Sequence, residues 1–147
     1  MRDRALERRV TLADKSMVVY LRNESPFDLK MENLHRTLEK GRAFQLPVSK
    51  LPSSRQAVWG TETYESWDDQ TYMGEGIFGE VAYRCENTSM RVYLQWAYPR
   101  GHAKAQYKAK IIDTSASQTE PLKYKIIKLK KKEGPHSWII YSLQPAH

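Results

Sequence analysis

A chain of 147 residues is long enough to bury one hydrophobic core without disulfides or a structural metal. With 40% hydrophobic and 28% charged residues, its composition is that of a folded globular domain and excludes a disordered chain. The net charge of +7 favours an anionic partner, either nucleic acid or an anionic lipid surface.

The first half of the chain alternates apolar and polar residues with period two, which is typical of strands with one buried face. Four strands are predicted there: residues 17–21, 27–32, 43–46 and 56–63. The segment from Tyr64 to Gly76 carries rings, acids and glycines without a period. We interpret it as an aromatic-bearing loop, and loops of this kind often carry function.

The second half contains the clearest hairpin, in which residues 77–85 turn through Glu86-Asn87-Thr88 into residues 90–96. Further strands are predicted over residues 103–111, 122–131 and 136–143. About nine short strands at this spacing predict an all-β, single-domain antiparallel β-sandwich over residues 1–147. Residues 1–15 allow a short N-terminal arm or helix.

Cys85 is the single cysteine, which excludes an internal disulfide and a multi-cysteine zinc site. It falls on the apolar phase of the strand over 77–85. Burial as a small hydrophobe is therefore favoured over a reactive thiol.

Aromatic and basic residues in or beside two predicted loops are the candidate binding site. Exposed Trp and Tyr rings can enter a lipid headgroup zone while their polar atoms stay hydrated, and nearby cations can pair with a lipid phosphate. The candidates are Trp67, Tyr72, Trp96, Tyr98, Arg100, His102 and Lys104. The alternative for the rings is packing on the ends of the sandwich, and for the cations a solvated loop.

The densest basic stretch comprises Lys123, Lys125, Lys128 and residues 130–132. It suits nucleic acid or an anionic surface through counterion release. The favoured alternative is that these lysines lie on an exposed or edge strand and prevent pairing with other sheets.

Catalysis has little support, because no nucleophile motif, phosphate loop or metal-ligand spacing of histidines occurs. The acidic residues Glu62, Glu65, Asp68-Asp69 and Glu75 are interpreted as a polar loop rather than a cation site. No enzyme activity, metal or cofactor is expected. The N-terminus lacks the apolar run of a signal peptide, so we expect synthesis in the cytoplasm, with membrane association or release by a non-classical route.

Four segments resemble the aegerolysin family, a group of small β-sandwich proteins related in architecture to actinoporins. They are residues 19–25 (VYLRNES), 29–34 (LKMENL), 76–83 (GIFGEVAY) and 90–99 (MRVYLQWAYP). The resemblance extends from about Val18 to Leu143. The chain departs from the family at Ala97, Tyr98 and Arg100, and in its basic charge.

The resemblance implies recognition of membrane lipids of the sphingolipid type. It also implies cooperation with a larger pore-forming protein, with the small component as the targeting half of a cytolysin or toxin. A cytosolic nucleic-acid-binding domain and a glycan-binding domain are the alternative functions.

Overall fold

The computed structural model describes residues 15–32, 38–63, 76–99, 104–114 and 123–146. Within these ranges the chain is built from eleven strands. They are β1 (Lys15–Asn23), β2 (Leu29–Met31), β3 (Leu38–Lys40), β4 (Arg42–Gln45), β5 (Lys50–Leu51), β6 (Gln56–Thr63), β7 (Ile77–Cys85), β8 (Met90–Tyr98), β9 (Gln106–Asp113), β10 (Tyr124–Lys132) and β11 (His136–Pro145). None of the described residues forms a helix long and apolar enough to cross a membrane.

The strands form two sheets. The first has the order β10-β11-β1-β6-β4, and the second has the order β5-β2-β7-β8-β9 with β3 paired to β7. The all-β sandwich prediction is confirmed, and the strand predicted over 56–63 coincides with β6. One feature differs from a purely antiparallel sandwich, because β1 and β11 run parallel from Ser16 opposite His136 to Asn23 opposite Leu143.

Strand alternation places one apolar face of each sheet in a shared interior. On the β7–β8 hairpin, odd residues from Ile77 to Cys85 and even residues from Met90 to Tyr98 are buried. They pack against Met17, Val19 and Leu21 of β1. Cys85 is fully buried in this core, which confirms its predicted role as a small hydrophobe.

The outer face of the first sheet carries a second, smaller apolar cluster. Its buried members are Val18, Tyr20, Trp138 and Ile140, with Phe44 and Val58 packed against them. Phe44 lies across the backbone of Gly60, where an added Cβ would stand 1.9 Å from the ring Cζ. The Phe44 ring therefore occupies the space that a side chain at position 60 would fill.

The turn after β1 is organised by buried Asn23. Its amide donates to the carbonyls of Phe27 at 2.7 Å and Leu51 at 3.1 Å, and its side-chain oxygen accepts from the backbone N–H of Ser25 at 3.1 Å. Because Leu51 belongs to the second sheet, Asn23 links the two sheets at this end of the sandwich.

A Gly60→Ala substitution is expected to lower the free energy of unfolding by about 1–3 kcal/mol, because the new methyl group displaces the Phe44 ring. The measurement is urea denaturation of the wild type, both single variants and the Phe44→Ala/Gly60→Ala double variant. The cost of Gly60→Ala should shrink in the Phe44→Ala background. Strictly additive effects would contradict this contact.

Burial, with a smaller effect of Asp113, raises the pKa of the Cys85 thiol from about 9 to about 11. The folded state thus holds the thiol proton more tightly than the unfolded state. This contribution to stability is fully present below pH 9 and is lost as the pH rises toward 11. Between pH 8 and pH 10 the wild type should lose about 1 kcal/mol more stability than Cys85→Ala. Denaturant titrations at both pH values check this, and equal losses in the two proteins would contradict it.

Candidate functional site

The connections that carry most of the predicted site residues leave the sandwich at the same end. β6 ends there at Thr63 and β7 begins at Ile77, while β8 ends at Tyr98, paired with Ile77, and β9 begins at Gln106. β1 begins at this end with Lys15, opposite Thr63. We call this end, with the turn Glu133–Pro135 between β10 and β11, the loop end.

Four of the seven predicted site residues lie outside the described residues. Trp67 and Tyr72 belong to the connection between β6 and β7, and Arg100 and His102 to the connection between β8 and β9. The structure therefore describes only where the two connections start and finish. The contact of these four residues with lipid stays a prediction. Both connections start and finish at the loop end.

Trp96 lies in the interior, and its interpretation as an exposed ring is wrong. Its side chain is 1% exposed and packs against Trp59 of the opposite sheet, with ring centroids 5.7 Å apart. The physical reason is that β8 continues to Tyr98, so that Trp96 is two residues inside the strand and on its buried phase. An indole in that position cannot reach a lipid headgroup.

Tyr98 is also buried, with 8% of its surface exposed, and the expectation of an exposed ring is wrong for it as well. Its position at the end of β8 is at the loop end, however. The hydroxyl points to the carbonyl of Gly134 at 3.5 Å, and the Lys15 ammonium lies over the ring, 4.9 Å from its centroid. Tyr98 is thus a buried ring beneath the loop end, and it makes a cation–π contact with Lys15.

Lys104 is exposed and lies directly before Ala105, which is buried. Lys131 donates a 2.8 Å hydrogen bond to the carboxylate of Glu133 and lowers the pKa of that group, and Lys104 and Lys128 add to this effect. Lys104 is therefore close enough to the turn between β10 and β11 to influence its charge. Of the candidate cations, Lys104 is the one that the structure describes at the loop end.

Lys15 was not among the predicted site residues, and Glu62 was grouped with the acidic residues of a polar loop although it lies within the predicted strand over residues 56–63. The structure corrects the second point, because Glu62 belongs to β6 and is 1% exposed. One carboxylate oxygen lies 3.4 Å from the Arg42 guanidinium, and the other finds no hydrogen-bond partner among the described residues. The available signal was that the strand predicted over residues 56–63 already contained Glu62.

The described part of the chain offers no cluster of three or more His, Cys, Asp or Glu side chains that could hold a metal. His136 instead faces the Ser16 hydroxyl, with its Nδ1 at 3.0 Å from the Oγ. The loop end therefore combines the cations Lys15 and Lys104 with the buried ring of Tyr98. Ammonium groups of this kind suit binding to an anionic or zwitterionic group.

Comparison with known proteins gives a likeness of fold. No protein-family model and no curated protein sequence matches the chain. Among solved structures, the lipid binding protein Nakanori superposes with a TM-score of 0.68 at 10% sequence identity, over 97% of this chain and 79% of that protein. IP-1A from Alcaligenes faecalis superposes with a TM-score of 0.58 at 10% identity, over 92% of this chain and 94% of that protein. The chain thus shares the β-sandwich fold of a lipid-binding protein.

Proposed function

We propose that the protein is a non-catalytic module that binds membrane lipids through its loop end. The observation that carries the proposal is the common exit of two connections, one bearing Trp67 and Tyr72 and the other Arg100 and His102, at one end of a two-sheet body. Rings and cations on neighbouring connections can enter the same headgroup layer.

The described residues support this assignment by their chemistry. Lys15, held over the Tyr98 ring, and exposed Lys104 supply positive charge at the loop end. A phosphate-bearing headgroup accepts hydrogen bonds from such ammonium groups. The likeness of fold to Nakanori, a lipid binding protein, supports the same class of ligand.

The finer proposal follows from the resemblance to aegerolysins. The lipid is of the sphingolipid type, and the protein acts as the targeting component for a larger pore-forming partner. In that arrangement the sandwich supplies membrane affinity and its partner supplies perforation. The module then needs no catalytic residues of its own.

Trp67→Ala and Tyr72→Ala are each expected to weaken binding to sphingomyelin-containing vesicles by about tenfold or more, because each removes a ring that buries apolar area in the headgroup layer. The measurement is vesicle co-sedimentation at a series of lipid concentrations.

Leu46→Ala is the matched control for these variants, since Leu46 is 62% exposed and follows the end of β4 that lies away from the loop end. It should bind vesicles as the wild type does. Unchanged binding in both ring variants would remove the connection between β6 and β7 from the site. Binding that goes to nucleic acid instead of vesicles, and falls steeply with salt, would replace the proposed function with nucleic-acid binding.

Trp96→Ala should act on stability rather than on the lipid site. Loss of the buried indole is expected to cost about 3–5 kcal/mol in free energy of unfolding. Trp96→Phe, which keeps a ring in the interior, should cost less. Urea denaturation followed by circular dichroism measures both effects. A Trp96→Ala protein of wild-type stability that fails to bind vesicles would contradict the burial of this ring.

A further inference from the structure

The excess positive charge of the protein is concentrated on one side of the sandwich. Residues 104–114 and 123–133 contain nine lysines, no arginine and two acidic residues. The rest of the chain contains fifteen basic and fifteen acidic residues, so it has no net charge. These two segments, which comprise β9, β10 and the residues beside them, therefore account for the whole net charge of +7.

The fold brings these two segments together. β9 is the edge strand of the second sheet and β10 is the edge strand of the first. The Lys131 ammonium lies 5.6 Å from the ring centroid of Tyr107, and the Tyr107 hydroxyl is hydrogen-bonded to Ser137 of β11, the neighbour of β10. The open sides of both sheets thus lie next to each other. We call their nine lysines the basic edge: Lys104, Lys108, Lys110, Lys123, Lys125, Lys128, Lys130, Lys131 and Lys132.

The lysines of the basic edge are available to a partner. Eight of them are exposed, and Lys131 is partly buried and paired with Glu133. On β9, exposed Lys108 and Lys110 alternate with partly buried Tyr107, Ala109 and Ile111. The exposed charges therefore project from a surface whose other face is anchored in the core.

Two exposed aliphatic side chains lie on the same two strands. Ile112 of β9 is 40% exposed and Leu129 of β10 is 43% exposed. Leu129 is the residue skipped by the shift in register between Lys128 and Lys130. A bulge of this kind places an extra residue outside the regular pairing of the strand. Aliphatic side chains among lysines suit a lipid surface, where they can enter the headgroup boundary.

Two of the aromatic rings beside these lysines are already engaged within the fold, which disfavours stacking with nucleic-acid bases. Trp138 is 6% exposed, and Lys130 lies 6.0 Å from its ring centroid. Tyr93 has Lys110 at 5.5 Å from its ring centroid and donates a hydrogen bond to Glu80. Lysine is also a point charge without the bidentate fork by which arginine recognises individual phosphates. These observations favour a diffuse anionic surface over a nucleic acid.

We propose that the basic edge is a second membrane-contact surface, which binds anionic phospholipid headgroups and extends along the side of the sandwich, meeting the loop end at Lys104. The inference rests on the proposed function in lipid binding and adds to it a surface with a different ligand. Lysines near an anionic membrane each contribute about a fivefold increase in affinity, so that nine on one side are sufficient to orient the protein.

The test uses the Lys108→Gln/Lys125→Gln/Lys128→Gln/Lys132→Gln variant. Its matched control is Lys30→Gln/Lys50→Gln/Arg55→Gln/Arg84→Gln, which removes four exposed charges from elsewhere on the molecule. Binding is measured with phosphatidylcholine vesicles that contain about one third phosphatidylserine, at about 0.15 M salt, where long-range attraction is largely screened. Circular dichroism confirms that both variants fold.

The basic-edge variant should bind these anionic vesicles on the order of a hundredfold or more weakly than the wild type. The control should bind them within about threefold of the wild type. Equal losses in both variants would overturn the proposal, because they would show a response to net charge alone. Wild-type binding by the basic-edge variant would overturn it as well and would leave edge protection as the role of the lysines.

Two further measurements distinguish this proposal from the loop-end proposal and from nucleic-acid binding. With neutral vesicles that contain sphingomyelin, the basic-edge variant should bind as the wild type does, whereas Trp67→Ala tests the loop end. Loss on anionic vesicles alone thus supports the basic edge even where the loop-end proposal fails. In the last arm, duplex DNA and single-stranded RNA replace the vesicles, and nucleic-acid binding without vesicle binding would overturn the proposal.

Discussion

The contact between Trp59 and Trp96, one from each sheet, joins the two halves of the sandwich. The two indoles are the largest fully buried side chains of the described residues, and their ring centroids are 5.7 Å apart. Rings of this size bury more apolar surface than other side chains and dominate the energetics of a core. The positions of β6 and β8, and of the loop end at which both finish, depend on this contact.

A firmly packed interior allows two different surfaces of the protein to have different binding roles. The loop end combines Lys15 and Lys104 with two connections, one carrying predicted rings and the other predicted cations, whereas the basic edge carries the net charge of the molecule. Apolar insertion acts at short range and survives salt, but attraction between charges acts at longer range and is screened by salt. A protein with both surfaces can approach an anionic membrane through one and recognise individual lipids through the other.

Local alternation made much of the fold predictable from the sequence. The β7–β8 hairpin, β6, and the burial of Cys85 all follow from residues close together in the chain. The parallel pairing of β1 with β11 was not predictable in this way, because more than 100 residues separate the partners, as in the pair Ser16 and His136. Alternation reports which face of a strand is buried and does not identify its neighbour.

The candidate site was less predictable than the fold because it depends on where strands stop. β8 was predicted to end at Trp96, but it continues to Tyr98. The Trp96 ring, which was expected beside a loop, is therefore in the core. Pro99 was the nearest signal of a strand end, and it lies three residues after the tryptophan. Lys15 illustrates the other difficulty, since its contact with Tyr98 joins residues that only the tertiary structure brings together.

The position of β11 has a consequence for how the protein is made. β11 lies between β10 and β1, so the first sheet lacks an interior strand until residues near 143 have been synthesised. During translation, β1 would wait for its parallel neighbour with Val18 and Tyr20 on one face and Met17 and Val19 on the other. Ribosome-bound chains would then expose apolar strands until β11 has been synthesised, and chaperones act on chains in this state. Closure of the first sheet thus waits for the last strand of the sandwich.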